Sequence, residues 1–136
     1  MRKYKLIDLK TFGDERGFLT PIEGAKDIPF EIKRVFFIHG TKGKQFLRGN
    51  HANRKTKFVL VMPAGSCKIR IYNDKGTVEE IVELNTPNKG LYLENMIFKE
   101  IYDFSDDAIM LALASEQFDA EEYIDTYEEF LEENDD

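Results

Sequence analysis

The chain has 136 residues, of which 42% are hydrophobic, and its formal net charge is −7. This length suits a single domain, and no segment approaches the ~20 consecutive apolar residues that span a bilayer. Residues 119–136 hold ten of the 26 acidic residues and no lysine or arginine. The rest of the chain is mildly basic, with 16 acids against 19 bases. This balance gives no indication of nucleic-acid binding but is compatible with a pocket for a small anionic ligand.

The N-terminus and the single cysteine predict a cytoplasmic protein. Residues 1–5 run directly into strand-like sequence, without the apolar segment of a signal peptide. Cys67 permits no internal disulfide, which fits a reducing compartment. Because no basic partner for a thiolate and no helix start is evident beside Cys67, we expect a small buried side chain and not a reactive thiol.

Short runs of β-branched and aromatic residues dominate the chain, with turn residues between them. They predict strands near 4–9, 17–22, 32–39, 45–52, 55–63, 66–73, 77–84, 90–94, 97–104 and 107–115. Ten short strands with such brief connections indicate an all-β sandwich or barrel, because βαβ units would need longer crossovers.

One helix is predicted, over residues 119–133. Asp119, with Glu122 three residues later, forms a capping box of the Asp type. An apolar stripe follows at helical spacing: Tyr123, Tyr127, Phe130 and Leu131. Such a stripe usually docks on the core of the same protein, and a partner-binding helix is the alternative.

The chain contains two histidines, and one of them lies in a polar strand pattern. His39 comes directly before a glycine, so we expect it in an exposed turn. In the string RGNHAN at 48–53, strand alternation places His51 and Asn53 on one face. A turn after Asn53 would bring Lys57 close to His51 on the interior face. Polar residues on adjacent strands are also compatible with an exposed surface, so this pattern alone leaves the site open.

Two arginines precede glycines, Arg16 before Gly17 and Arg48 before Gly49. A guanidinium beside a glycine suits phosphate, because it offers a planar pair of donors and the glycine permits close backbone approach. On the residues alone, two surface arginines at turns are the simpler interpretation.

Four longer strings lie between residues 28 and 124: IPFEIKRVFFI at 28–38, RGNHAN at 48–53, KFVLVMPAGSCKIRI at 57–71 and GLYLENMIFKEIYDFSDDAIMLALASEQFDAEEYI at 90–124. In combination they resemble the nucleotide-sugar 3,4-ketoisomerases, the WxcM-like cupins. The resemblance implies one cupin domain over 1–136, a jelly-roll β-barrel of the RmlC-like type with an acidic C-terminal helix. It also implies an isomerase that acts without a metal or cofactor, and a homodimer with exchanged N-terminal strands. Such enzymes convert a dTDP-4-keto-6-deoxyhexose into its 3-keto isomer, usually ahead of an aminotransferase in making surface-polysaccharide sugars.

A more distant likeness to the dTDP-4-keto-6-deoxyglucose 3,5-epimerases implies roles for single residues. It rests on the strings RGNH at 48–51, RG at 16–17 and KFVLV at 57–61. By this likeness His51 is the base, Lys57 stabilises the enolate, and Arg16 and Arg48 hold the phosphates.

The chain departs from the ketoisomerase pattern at three places. Many members have a second histidine where this chain has Asn53, a Trp-His pair at 98–99, and a Tyr-Tyr pair at 36–37. We expect Asn53 to orient the base or to bind a sugar oxygen, and Lys99 to supply a second cation. The second imidazole and the phenol that this chain lacks would act in the step that returns a proton to the sugar.

The same departures argue against a metal site. Metal-binding cupins place two histidines one residue apart, then a carboxylate and a later histidine. Here these positions hold Asn53 and lysines, and one imidazole beside a lysine cannot form a normal zinc, iron or manganese site.

Two rival functions remain open at this stage. A sugar 3- or 5-epimerase would trap the same enolate but return the proton to carbon on the opposite face. A non-catalytic nucleotide-sugar binding module would have lost turnover together with its second histidine.

Overall fold

Two five-stranded antiparallel sheets face each other and enclose the main core. A computed structural model describes residues 3–43, 48–73, 75 and 77–134. Its strands are β1 (Tyr4–Asp8), β2 (Phe12–Asp14), β3 (Gly17–Leu19), β4 (Arg34–Ile38), β5 (Arg48–Asn53), β6 (Phe58–Ala64), β7 (Cys67–Tyr72), β8 (Val78–Leu84), β9 (Lys89–Leu93), β10 (Phe98–Tyr102), β11 (Ile109–Ala114) and β12 (Tyr123–Ile124). The α-helix α1 spans Tyr127–Asn134.

The first sheet has the order β1-β9-β6-β11-β4 and the second the order β12-β5-β10-β7-β8. Strands β2 and β3 form a separate hairpin. All ten predicted strands overlap observed ones, and the prediction of an all-β protein with a C-terminal helix is confirmed. Strands β2 and β12 were not predicted.

Side-chain alternation decides which residues face the core. In β7, Cys67, Ile69 and Ile71 are buried while the residues between them are half-buried. The prediction of a buried cysteine is confirmed, and burial raises the pKa of the Cys67 thiol to about 12, which disfavours the reactive thiolate. Strand β6 is buried on both faces, because the N-terminal segment covers its outer residues Val59 and Val61.

The predicted helix over 119–133 is wrong in its first half. Asp119 caps only a 3-10 turn at 120–122, where its carboxylate accepts from the Glu121 N–H. The chain then becomes extended, and Tyr123 and Ile124 pair with β5. The α-helix begins after Thr126, whose hydroxyl accepts from the Glu129 N–H at 3.2 Å. Pairing with a distant strand has overridden the local helical pattern.

Helix α1 docks on the second sheet as its apolar stripe predicts. Tyr127, Phe130 and Leu131 pack against Phe98 and Ala52 on the outer face of that sheet. No helix in the described part of the chain has the length and apolar character to cross a membrane.

Candidate active site

A cavity of about 630 Å³ lies between the two sheets, where their edge strands β4 and β12 are neighbours. Its floor is apolar and comes from the inner faces of β4, β6, β10 and β11. The polar lining residues are Arg34, His39, His51, Lys99 and Tyr123. The cavity therefore offers an apolar bed with a few convergent cationic and hydrogen-bonding groups, which is typical of a small-molecule site.

His51 and Lys99 lie opposite each other on adjacent strands. They are direct partners in the β5–β10 pairing, so both side chains project from the same, inner face. The prediction that His51 faces the interior and Ala52 the opposite side is confirmed, because Ala52 packs under α1.

Lys99 is a buried cation. Only 4% of the residue is exposed, and its Nζ lies 5.1 Å from the centroid of the Phe58 ring. Burial lowers the pKa of Lys99 to about 8, while the nearby Glu122 carboxylate opposes the shift. The side chain is thus still mostly protonated at neutral pH and carries its charge inside the cavity.

His51 is held in its neutral form. Burial lowers the pKa of His51 to about 3, and the positive charges of Lys99 and Arg34 act in the same direction. A neutral imidazole has a nitrogen lone pair available, so His51 is in the protonation state that a general base requires at neutral pH.

Asn53 lies behind the histidine and does not line the cavity. It is 3% exposed, and neither atom of its amide has a hydrogen-bond partner of normal geometry among the described residues. The amide is nevertheless close enough to His51 and Glu122 to influence the pKa of each. Its position suits orientation of the imidazole better than contact with a ligand.

The Glu122 carboxylate, buried like Asn53, anchors the turn between β5 and β6. It accepts from the Lys55 N–H at 3.3 Å, from the Thr56 N–H at 3.0 Å, and from the Thr56 hydroxyl. Burial raises the pKa of Glu122, but these hydrogen bonds outweigh it, and the pKa ends below its usual value. A stable anion therefore lies near the Lys99 ammonium.

Arg34 and Tyr123 are cavity residues that the sequence interpretation missed. The Arg34 guanidinium donates from Nη2 to the Tyr123 hydroxyl at 3.1 Å, which links the edges of the two sheets. The string RVFFI contained a signal, since alternation puts Arg34 in phase with Phe36 and Ile38, which face inward. Tyr123 was assigned to the helix, and so its place in the cavity could not be seen.

The expected position of Lys57 is wrong. Phe58 occupies the inner face, so alternation directs Lys57 to the side of Val59 and Val61. The Lys57 side chain is half-buried and does not line the cavity. Lys99 takes the position beside His51 that was expected for Lys57.

Arg16, one of the two arginines expected at the phosphates, is not brought to this cavity within one chain. Arg16 lies in the β2–β3 hairpin, where its guanidinium pairs with Asp14 at 2.7 Å and its side chain is 87% exposed. The side chain of Arg48 lies outside the described residues. His39 is exposed, as expected, and its ring lies 5.3 Å from that of Phe37 at the cavity rim.

Metal ligands are not gathered in the described ranges 3–43, 48–73, 75 and 77–134. No three His, Cys, Asp or Glu side chains within them are placed to hold a metal ion. Beside His51 the cavity presents cations, which repel a metal ion. The absence of a metal in the functional protein stays a prediction.

Comparison with known proteins identifies the family. Residues 2–135 match the family model FdtA, described as WxcM-like, C-terminal. The chain belongs to this family. A relative from Aneurinibacillus thermoaerophilus, named TDP-4-oxo-6-deoxy-alpha-D-glucose-3,4-oxoisomerase, is 42% identical over 126 residues, or 93% of this chain and 88% of the relative.

Solved structures agree with the WxcM-like assignment. A 3,4-ketoisomerase from Helicobacter canadensis is 40% identical, with a TM-score of 0.93 and coverage of 100% of both chains. The sugar 3,4-ketoisomerase QdtA from Thermoanaerobacterium thermosaccharolyticum, solved with TDP, is 40% identical, with a TM-score of 0.91 over 96% of this chain and 93% of its own. A histidine-to-asparagine mutant of QdtA was solved with TDP-4-keto-6-deoxyglucose. The family and the cupin-type fold expected from the sequence are thus confirmed.

The depressed pKa of His51 predicts a pH-dependent stability. The unfolded chain binds a proton at this histidine below about pH 6.5, whereas the folded protein does not until about pH 3. Acidification from about pH 7.5 to about pH 5 should therefore lower the free energy of unfolding by about 2 kcal/mol through this residue. Urea unfolding at the two pH values measures the effect.

Replacement of each histidine in turn provides the control. His51→Asn should lose this part of the pH dependence, while His39→Asn should keep it, because His39 is exposed. If His51→Asn loses as much stability on acidification as the wild type, the histidine is not held neutral by the fold.

Proposed function

We propose that this protein is a sugar 3,4-ketoisomerase that converts a dTDP-4-keto-6-deoxyhexose into the dTDP-3-keto-6-deoxyhexose. The observation that carries the proposal is the neutral imidazole of His51 opposite the buried ammonium of Lys99 in one cavity. This pair provides a base and an electrostatic stabiliser for an enolate. Family relatives at about 40% identity over nearly the full length are named for this reaction.

In the first half of the reaction, His51 removes the proton at C3, next to the C4 ketone. The C–H electron pair forms the C3=C4 bond, and the carbonyl pair moves to the C4 oxygen. The Lys99 ammonium stabilises the negative oxygen, and a stabilising donor in such a site contributes ~3 kcal/mol to the barrier. The negative charge also offsets the two cations near His51, so the imidazole becomes more basic as the proton is transferred.

In the second half, the hydroxyl proton on O3 moves to O4, and C4 receives a proton. Oxidation at C3 then balances reduction at C4 within one molecule, so the reaction calls for no external oxidant or reductant. We propose accordingly that the enzyme works without a cofactor or metal. Asn53, buried behind the imidazole, would keep His51 oriented during both halves.

The setting we propose for this reaction is the cytoplasm, where the 3-keto product would pass to an aminotransferase that makes deoxysugars for surface polysaccharide. A ketone at C3 is the group that such an enzyme requires. The mildly basic body of the chain suits an anionic nucleotide sugar.

Incubation with the 4-keto sugar in deuterated water tests the function. Isomerisation should give a 3-keto product with deuterium at C4, detected by NMR, and His51→Asn should abolish it while nucleotide binding persists. Deuterium at C3 or C5 of an epimerised 4-keto sugar would instead identify an epimerase. Binding without exchange at any carbon would identify a non-catalytic module.

A second prediction separates the two lysines. Lys99→Met keeps the apolar stem and removes the charge, so kcat/KM should fall about 100-fold, while stability is maintained because a buried ammonium is lost. Wild-type turnover should also decline above about pH 8, as Lys99 loses its proton.

Lys57→Met is the matched control and should have nearly normal kinetics, because the side chain lies on the outer side of β6. Steady-state kinetics of both variants provide the measurement. Normal turnover by Lys99→Met combined with loss in Lys57→Met would return the catalytic role to Lys57.

We further propose a homodimer in which N-terminal segments are exchanged. The β2–β3 hairpin exposes Phe18, at 85%, together with Phe12 and Leu19. The edge strand β4 exposes Val35 and Phe37, which continue the outer apolar face of the first sheet. Two uncovered apolar surfaces in one small chain favour burial against a second copy.

Exchange would also account for Arg16. Within its own chain this residue lies away from the cavity, but an exchanged hairpin would carry it towards the cavity of the partner subunit. There its guanidinium could bind the diphosphate of the substrate, as the sequence resemblance implies, together with Arg48.

Subunit complementation tests this arrangement. Arg16→Ala and His51→Asn proteins should each be poorly active, whereas a mixture that exchanges subunits should recover about one quarter of wild-type activity. Recovery arises because one site of each mixed dimer combines an intact His51 with an intact Arg16 from the other subunit. No recovery, with mixed dimers verified by mass spectrometry, would place Arg16 at its own subunit's site or at none.

A further inference from the structure

The phenol of Tyr123 lies in the wall of the cavity. The two-residue strand β12 pairs Tyr123 with Asn53 of β5, and this pairing directs the ring to the inner face beside His51. The ring centroids of Tyr123 and His51 are 4.7 Å apart. A proton donor and a proton acceptor thus lie side by side on the same wall.

The hydrogen bonding of Tyr123 leaves its proton available. Its hydroxyl oxygen accepts from Arg34 Nη2 at 3.1 Å, and no residue in the described part of the chain accepts the hydroxyl proton. The O–H can therefore point towards a molecule in the cavity. The arginine in turn is positioned to stabilise a phenolate, because a charged donor binds an anionic oxygen more strongly than a neutral one.

Arg34 is fixed in place for this role. Its guanidinium carbon lies 4.9 Å from the centroid of the Phe36 ring and 5.3 Å from that of Phe118. Its Nε is buried and has no hydrogen-bond partner among the described residues. A guanidinium held between two aromatic faces, with no carboxylate paired to it among the described residues, keeps its charge directed at the phenol.

We infer that Tyr123 is the acid that delivers the proton to C4, with Arg34 stabilising the phenolate that forms. This inference rests on the proposed ketoisomerase function. The O–H bond of Tyr123 breaks as the C4–H bond forms, and the C3=C4 electron pair takes up the proton while the O3 lone pair makes the new carbonyl. The protonated His51 then releases the proton it took from C3 to solvent, and the phenolate takes up a proton from solvent, which resets both groups.

The division of labour leaves Lys99 as the stabilising charge. If Lys99 gave up its proton, the cavity would lose the cation that holds the enolate oxygen. Tyr123 therefore provides the phenol that returns the proton, which this chain lacks at positions 36–37. It reaches the cavity from the opposite sheet.

Tyr123→Phe tests the inference, because it should change whether the enolate is protonated at C4, which gives product, or at C3, which gives back the substrate. In deuterated water, formation of the 3-keto sugar should fall about 100-fold, while deuterium should still enter C3 of the recovered 4-keto sugar at close to the wild-type rate. NMR reports both quantities in one sample. Arg34→Gln should likewise lower formation of the 3-keto sugar more than deuterium entry at C3. Removal of the Arg34 charge makes His51 a stronger base and the Tyr123 phenolate less stable.

Tyr127→Phe is the matched control, since this tyrosine also lies in the C-terminal segment but its hydroxyl donates to the Asn73 carbonyl outside the cavity. It should change neither quantity. If Tyr123→Phe leaves both unchanged, the proton comes from another group, such as His51 itself, and the inference fails. If it lowers both equally, Tyr123 only supports the site, and the inference again fails. If the wild type makes no 3-keto sugar, the proposed function fails instead.

Discussion

The carboxylate of Glu122 must be satisfied inside the protein, and much of the site geometry depends on how this is done. It accepts two backbone N–H groups and a hydroxyl from the turn between β5 and β6. Each hydrogen bond to a charged acceptor of this kind contributes roughly 1.5–3 kcal/mol. The contact fixes the C-terminal segment beside β5, so that the chain continues as a strand and not as a helix. Tyr123 enters the cavity as a direct consequence.

The same anion shapes the electrostatics of the cavity. A buried ammonium is costly in an apolar setting, and burial accordingly lowers the pKa of Lys99. The negative charge of Glu122 opposes this shift and keeps Lys99 protonated near neutral pH. Lys99 then acts with Arg34 to hold His51 neutral. Two ionisable groups on adjacent strands, Lys99 and His51, are thus set in the protonation states that the proposed proton transfer requires.

This arrangement relates the three departures from the family pattern, at positions 53, 99 and 36–37, to one another. A second histidine at position 53 would stand directly against Glu122, where this chain places a neutral amide. The cation at position 99 replaces an imidazole with a group that stays charged, and Tyr123 supplies a phenol that positions 36–37 lack. In the proposed mechanism the proton-transfer groups are therefore distributed differently across the wall of one cavity, with His51 kept as the base.

Patterns within single segments determined much of this protein. Period-2 alternation and turn residues located ten strands, and the string at 48–53 placed His51 on the same face as Asn53, because both depend on local backbone geometry. The position of Lys57 could not be derived in this way. It depends on where the turn after Asn53 ends, and a shift of one residue reverses every side chain that follows. The place of Tyr123 in the cavity was likewise decided only by the tertiary structure, since pairing of β12 with β5, seventy residues away in sequence, outweighs the local helical pattern of residues 119–133.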